Sequence, residues 1–120
     1  SGSTNYFTDC VFTGNTSTGK STNGGAIFLQ NAGASAEIIN CTFTENTATN
    51  YGGAVEQNNN VTDGALKIVN TTFMNNAAKG GGALLTWMGD VTVENCSFEH
   101  NEATGTSGGA WYASLKDAVT

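Results

Sequence analysis

Two short motifs alternate along the whole chain, and each of them occurs four times. In the first motif, an Asp or Asn and a Cys or Thr precede a phenylalanine, and an asparagine follows three positions after that phenylalanine. Its copies begin at Asp9, Asn40, Asn70 and Asn95. The second motif is Gly-Gly-Ala followed by a large apolar residue, and its copies begin 28, 29 and 27 residues apart, at Gly24, Gly52, Gly81 and Gly108. Two motifs in fixed order at a nearly constant period predict a repeat architecture.

The segments between the motifs favour strands over helices. They lack apolar residues at the spacing of a helix face over ten or more positions, and Gly, Asn and Thr are poor helix formers. Each repeat instead holds three short β-type runs, such as 66–69 and 91–93. We therefore predict an all-β fold, a right-handed single-stranded parallel β-helix with about four rungs of 27–29 residues. A rung is one turn of the coil. Residues 1–120 are predicted to form one β-helix domain, part of a longer array or stacking end to end.

The first motif predicts a corner of the coil followed by an inward phenylalanine. Asn and Asp tolerate the left-handed backbone conformation that a tight corner requires. Stacked asparagines also hydrogen-bond to one another through their side-chain amides. We therefore predict a corner ladder made by Asp9, Asn40, Asn70 and Asn95. We predict an inward aromatic stack made by Phe12, Phe43, Phe73 and Phe98. Two further inward columns are predicted, Phe7, Ile38, Ile68 and Val93 in one and Ile27, Val55, Leu84 and Trp111 in the other.

The glycine pairs predict a second kind of corner. A side chain there would clash, or the backbone must take a positive φ. The predicted glycine corners are Gly24–Gly25, Gly52–Gly53, Gly81–Gly82 and Gly108–Gly109.

Charge and hydropathy exclude two classes of partner. The formal charge is −6, the chain has no arginine and its four lysines are scattered, whereas nucleic-acid binding needs clustered cations. No apolar stretch approaches the roughly 18 residues of a membrane helix. We predict neither nucleic-acid binding nor membrane insertion by this segment.

The three cysteines share one inward position of the repeat. Cys10 and Cys41 are one rung apart, whereas Cys96 lies two rungs from Cys41, roughly 9–10 Å away and beyond the reach of a disulfide. Buried free thiols acting as small apolar residues are the favoured interpretation. A Cys10–Cys41 bridge remains the alternative. No second ligand type joins the column, so no metal site is predicted.

Catalysis and cofactors are not predicted. Polysaccharide-cleaving β-helices need clustered acids on one outer wall, and the lyases among them need a basic residue as well. Here Glu37, Lys67 and Thr92 form an outward column typical of a solvated face. His100, beside Glu99 and Glu102, is expected in a surface cluster. Calcium-binding nonapeptide repeats are absent.

Four long loops, at 13–23, 44–51, 56–64 and 99–107, are predicted along the side of the coil. Trp87, Met88 and Tyr51 are candidates for an exposed contact surface. Five Asn-x-Ser/Thr sequons occur, and Asn60 is the best candidate for glycosylation. For the sequons at the corner asparagines, packing into a ladder is the preferred explanation.

The eight motifs together resemble the GGA(I/L/V) and FxxN repeats of chlamydial polymorphic outer-membrane proteins and of adhesin-like surface proteins of other bacteria and of archaea. This resemblance covers the whole chain. It implies an extracellular, cell-surface β-helix used for adhesion or as a rigid spacer, whose partner is a receptor or glycan of a host or neighbouring cell. Departures are Trp111 in place of an aliphatic residue and Thr71 in the cysteine column. The alternatives are a filament or sheath subunit that polymerises through uncapped ends and, ranked lower, a polysaccharide lyase or hydrolase scaffold.

Overall fold

The computed structural model describes residues 3–19, 24–29, 34–57, 65–86, 90–105, 110–113 and 118–119. Every regular element in these ranges is a β-strand, and all the strand pairs are parallel. No helix among the described residues is long and apolar enough to cross a bilayer. The predicted parallel β-helix is confirmed.

Four parallel sheets run along the coil, and each rung contributes one strand to each of them. Sheet 1 contains β1 (Ser3–Thr8), β5 (Ala34–Ile39), β9 (Ala65–Val69), β13 (Asp90–Glu94) and β17 (Ala118–Val119). Sheet 2 contains β2 (Val11–Thr13), β6 (Thr42–Thr44), β10 (Thr72–Met74) and β14 (Ser97–Glu99). Sheet 3 contains β3 (Thr16–Ser17), β7 (Thr47–Ala48), β11 (Ala77–Ala78) and β15 (Glu102–Ala103). Sheet 4 contains β4 (Ile27–Leu29), β8 (Val55–Gln57), β12 (Leu84–Thr86) and β16 (Trp111–Ala113).

Sheet 3 corrects the prediction of three strands per rung and of long side loops. Its two-residue strands lie inside segments predicted as loops at 13–23, 44–51 and 99–107. The predicted loop at 56–64 begins with Glu56 and Gln57, which belong to β8 and are fully buried. Parts of the segments predicted as loops therefore form strands that are hydrogen-bonded to neighbouring rungs.

Left-handed residues form the corners on either side of sheet 2. Before it, the φ angles are 55°, 56°, 52° and 52° at Asp9, Asn40, Asn70 and Asn95. After it, they are 68°, 56°, 57° and 54° at Gly14, Glu45, Asn75 and His100. A single left-handed residue turns the chain and reverses which side chains face inward. Val93 and Phe98 consequently both point into the coil although they lie in different sheets.

The core is a set of columns in which equivalent residues of successive rungs lie in register. Phe12, Phe43, Phe73 and Phe98 pair across sheet 2, and their ring planes stack with centroids 4.6, 5.0 and 4.8 Å apart. Ile27, Val55, Leu84 and Trp111 pair across sheet 4. Phe7, Ile38, Ile68 and Val93 pair across sheet 1. These columns give a polar chain one continuous apolar interior.

Candidate functional surface

A second set of columns lies on the outer face of sheet 1. Register places Glu37 beside Lys67, Lys67 beside Thr92, and Tyr6 beside Glu37. These residues alternate with the inward side chains, so the same strands supply both the core and this outer row. Tyr6 at one end of the row is 69% exposed.

The outer row borders a shallow cavity with a volume of about 260 Å³. We call this cavity the sheet 1 groove, and its lining residues are Thr4, Ser35, Ala36, Glu37, Ala65, Leu66, Lys67 and Thr92. The Ser35 hydroxyl accepts a hydrogen bond of 2.9 Å from the Ala65 backbone N–H. Hydroxyl groups, one carboxylate and one ammonium group suit hydrogen bonding to a polar ligand.

The residues predicted to form an exposed contact surface are not among the described residues that line this groove. Tyr51 is half-buried, and its backbone forms an isolated parallel bridge with Gly80. Trp87, Met88 and Asn60 lie outside the described residues, as do Gly108 and Gly109. The sequence predicts the Glu37–Lys67–Thr92 row as solvated surface, and no pattern in the sequence indicates the groove beside it.

A buried amide ladder runs through the coil, but at a different asparagine from the one predicted. Its members are the last residues of the first motif, Asn15, Asn46, Asn76 and Asn101. The Asn46 side-chain Nδ2 donates to the Asn76 Oδ1 at 3.0 Å and to the Phe12 carbonyl at 3.0 Å. The Asn46 Oδ1 accepts from the Asn15 N–H at 3.0 Å and from the Asn15 Nδ2 at 2.9 Å. Asn76 repeats this pattern with Asn101, so each inner amide is fully hydrogen-bonded.

The predicted ladder at Asp9, Asn40, Asn70 and Asn95 is therefore wrong, although all four residues do form a corner. All four are exposed, and no hydrogen bond joins their side chains to one another in the described part of the chain. At this corner the left-handed backbone turns the side chain outward. The structural explanation for the sequons at Asn40, Asn70 and Asn95 is thus the backbone corner and not amide stacking.

The side chains of the cysteine column donate hydrogen bonds across the corner before sheet 2. The Sγ atoms of Cys10, Cys41 and Cys96 lie 3.3, 3.3 and 3.2 Å from the carbonyl oxygen two residues earlier. Thr71 makes the equivalent bond with its hydroxyl, which donates to the Val69 carbonyl at 3.0 Å. Threonine can replace cysteine here because both are small side chains that donate to this carbonyl. Burial raises the pKa of the Cys41 and Cys96 thiols, which favours their protonated form.

Removing the donor at Thr71 tests this explanation. The Thr71 hydroxyl also accepts a hydrogen bond from the Cys41 N–H at 3.3 Å. Thr71→Val keeps the side-chain shape but leaves the Cys41 N–H without its acceptor, whereas the Val69 carbonyl still accepts from the Asn40 N–H at 3.0 Å. We therefore expect a loss of about 1–3 kcal/mol in unfolding free energy. The control is Thr72→Val, at a half-buried position in β10, where a change within about 0.5 kcal/mol is expected. Urea titration measures both, and equal losses would contradict the corner role of Thr71.

The glycine corners use their two glycines for different reasons. The first glycine of each described pair has a positive φ, 60° at Gly24, 64° at Gly52 and 62° at Gly81. The second has no room for a side chain, because a Cβ on Gly25 or Gly53 would overlap the carbonyl oxygen of Gly53 or Gly82, one rung further on.

The titratable residues on the described surface form no metal site. No group of three or more His, Cys, Asp or Glu side chains that could hold a metal ion occurs within the described ranges. His100 is exposed at the corner between β14 and β15.

The right-handed β-helix family model matches residues 1–114. The chain belongs to the right-handed β-helix family. This match confirms the predicted fold class together with its handedness.

One similar curated protein is described as a probable autotransporter of Escherichia coli strain K12, named YfaL. The two sequences are 37% identical over an alignment of 102 residues, which covers 81% of this chain and 8% of the relative. The chain thus spans a small part of that relative's length. No solved structure matches the chain at a significant level. Family and relative together support a bacterial surface β-helix protein.

Proposed function

We propose that this chain is a non-enzymatic, extracellular module of a bacterial surface protein in which the coil acts as a rigid spacer. The observation that supports this most is the identical register of all four sheets. Each rung advances the coil by about 4.8 Å, so four rungs supply a fixed length of roughly 19 Å.

The interior supports a stiff coil. The stacked phenylalanines and the saturated amide ladder follow each other on adjacent sheets, and both are buried in the two inner rungs. A shear or bend between rungs would separate stacked rings and break amide hydrogen bonds together. A spacer that resists bending needs such coupled contacts.

The groove chemistry supports a non-enzymatic role. Among the residues that the structure describes, its lining contains one carboxylate, Glu37, and one amine, Lys67. Acid–base cleavage of a glycosidic bond uses two carboxylates on either side of the bond. Some proteins with a β-helix fold are enzymes. The proposal of a non-enzymatic role therefore rests on the residues of the groove and not on the fold.

Force spectroscopy on the single chain tests the spacer. Pulled along the coil axis, the protein is expected to resist extension and then to unfold in one cooperative event. The 120 residues span roughly 400–430 Å when extended at about 3.3–3.6 Å each, and the folded coil spans roughly 19 Å, so that event releases roughly 380–410 Å. A smooth extension at low force, without a rupture event, would contradict a rigid spacer.

Adhesion through the sheet 1 groove is the second candidate function. The exposed Tyr6 ring, the Ser35 and Thr92 hydroxyls and the Glu37–Lys67 pair of charges offer a polar contact surface for a glycan or a surface receptor. The motif-level resemblance to chlamydial and adhesin-like repeats supports this candidate. End-to-end self-association stays a prediction.

A binding assay distinguishes adhesion from a purely spacing role. Beads coated with the chain are applied to a glycan array and to cultured cells. Adhesion predicts saturable binding that falls at least about tenfold in Glu37→Ala and Lys67→Ala and is retained in Thr13→Ala, on the exposed edge of sheet 2. Equal binding by all variants would contradict adhesion through the groove.

A further inference from the structure

Cys10 and Cys41 face each other across the first two rungs. The residues on both sides are in register, with Thr8 opposite Ile39 and Val11 opposite Thr42. The Thr42 N–H donates to the Cys10 carbonyl at 3.0 Å, which aligns the two cysteines directly. Both side chains point inward from the same corner, and the two thiols are in contact.

This arrangement lies within the reach of a disulfide. Neighbouring rungs are about 4.7–4.9 Å apart. Disulfides join residues whose Cα atoms are about 4.4–6.8 Å apart and whose Cβ atoms do not point away from each other. Each thiol is held only by weak hydrogen bonds, to the Thr8 carbonyl from Cys10 and to the Ile39 and Phe7 carbonyls from Cys41. Little is lost when those bonds are exchanged for a covalent link.

We propose that Cys10 and Cys41 form a cross-rung disulfide when the folded protein meets a low-molecular-weight disulfide in an oxidising environment. That such an environment surrounds the protein rests on the proposed extracellular function, whereas the pairing itself rests only on the fold.

The reaction is a two-step thiol–disulfide exchange. Cys10, half-buried in the first rung, loses its proton and attacks one sulfur of the small disulfide, and a small thiolate leaves. Cys41 then loses its proton, attacks the Cys10 sulfur of the mixed disulfide and expels the second small thiolate. The two protons end on the two small thiols, so two protein thiols are oxidised while one small disulfide is reduced. Because burial raises the pKa of Cys41, the second step is expected to accelerate with increasing pH.

Cys96 supplies an internal control. It occupies the same position in the fourth rung, where its neighbour in the third rung is Thr71. Two rung spacings separate Cys96 from Cys41, roughly 9–10 Å, which a disulfide does not span. The fold therefore predicts that only one of the three possible pairs forms.

The bridge would fasten the first rung to the second. Cys10, Phe12 and Asn15 are half-buried, whereas Cys41, Phe43 and Asn46 one rung further on are buried. A covalent link at this place opposes local opening of the less buried rung.

The experiment oxidises the native chain with glutathione disulfide at pH 8 and then counts thiols after denaturation. We expect the count to fall from three to one and the intact mass to fall by about 2 Da. Lys20 and Lys67 separate the three cysteines into different tryptic peptides. The linked species should therefore join peptides 1–20 and 21–67, with Cys96 left free in peptide 80–116. The melting temperature of the oxidised protein should rise by at least about 5 °C.

Two variants and one condition complete the test. Cys96→Ser should leave the bridge unchanged, and Thr71→Cys should let a second pair form, lowering the thiol count to zero. Oxidation in concentrated guanidinium should give mixed pairings, because the register is lost. Three remaining thiols after native oxidation, or bridges to Cys96 as frequent as the Cys10–Cys41 bridge, would overturn the proposal without bearing on the spacer.

Discussion

Gly53→Ala is expected to abolish the cooperative fold or to lower the unfolding free energy by at least about 5 kcal/mol. A Cβ at Gly53 would overlap the Gly82 carbonyl oxygen and lie 2.6 Å from the Ala77 carbonyl oxygen and 2.8 Å from the Ala77 nitrogen. All three atoms belong to the backbone of the next rung. The overlap is relieved only if that rung moves, which would disrupt the strand pairing in sheets 3 and 4.

Gly14→Ala is the matched control for Gly53→Ala. Gly14 has a φ of 68°, but a Cβ there would meet no atom within 4 Å. Gly14→Ala should therefore lower the unfolding free energy by about 1–2 kcal/mol, which is the strain of an alanine in the left-handed conformation. Thermal and denaturant unfolding of both variants measures the difference. Equal stability of the two variants would show that close packing of rungs at the glycine corner is not required.

Asn76→Ala is expected to lower the unfolding free energy by about 3–5 kcal/mol. Its amide donates to the Phe43 carbonyl at 3.0 Å and to the Asn101 Oδ1 at 2.9 Å. Its Oδ1 accepts from the Asn46 N–H at 2.9 Å and from the Asn46 Nδ2 at 3.0 Å. Alanine removes all four hydrogen bonds and leaves the buried Asn46 N–H without its acceptor, although the Asn46 Nδ2 still donates to the Phe12 carbonyl and the Asn101 Oδ1 still accepts from the backbone N–H of residue 76. Each lost hydrogen bond costs about 0.5–1.5 kcal/mol, and an unpaired buried group costs about 1–3 kcal/mol.

The neighbouring residue provides the control for the ladder. Asn75 is exposed and has a φ of 57°, so Asn75→Gly keeps the corner and is expected to be neutral or slightly stabilising. The unfolding free energies of Asn76→Ala and Asn75→Gly, measured by urea titration, should therefore differ by at least about 3 kcal/mol. Similar midpoints for the two variants would contradict the amide ladder.

The inward columns were predictable because strands and repeats give two independent constraints. Alternation within a strand places Val91 and Val93 on one face, and the repeat requires Ile68 and Val93 to occupy equivalent positions. The left-handed corner was also predictable, because Asp and Asn tolerate that conformation. Sheet 3 was not, since strands of two residues, such as Ala77–Ala78, are too short to show alternation.

The amide ladder was assigned to the wrong column although the sequence contained a signal against that choice. A ladder needs an Nδ2 donor in every rung, and the corner column contains Asp9, whose carboxylate has none. The last position of the same motif is asparagine in all four copies. The second left-handed corner has a weaker signal, because Glu45 is not a residue that favours positive φ, whereas Gly14, Asn75 and His100 are.

The stacked coil depends on register between neighbouring rungs, which nuclear Overhauser contacts in solution report. We expect contacts between the ring protons of Phe43 and Phe73, whose centroids are 5.0 Å apart, and between the side-chain amides of Asn46 and Asn76. Both pairs join residues 30 positions apart in the chain. Contacts confined to residues close in sequence, or a Phe43 ring adjacent to residues of unrelated repeat positions, would contradict the stacked coil.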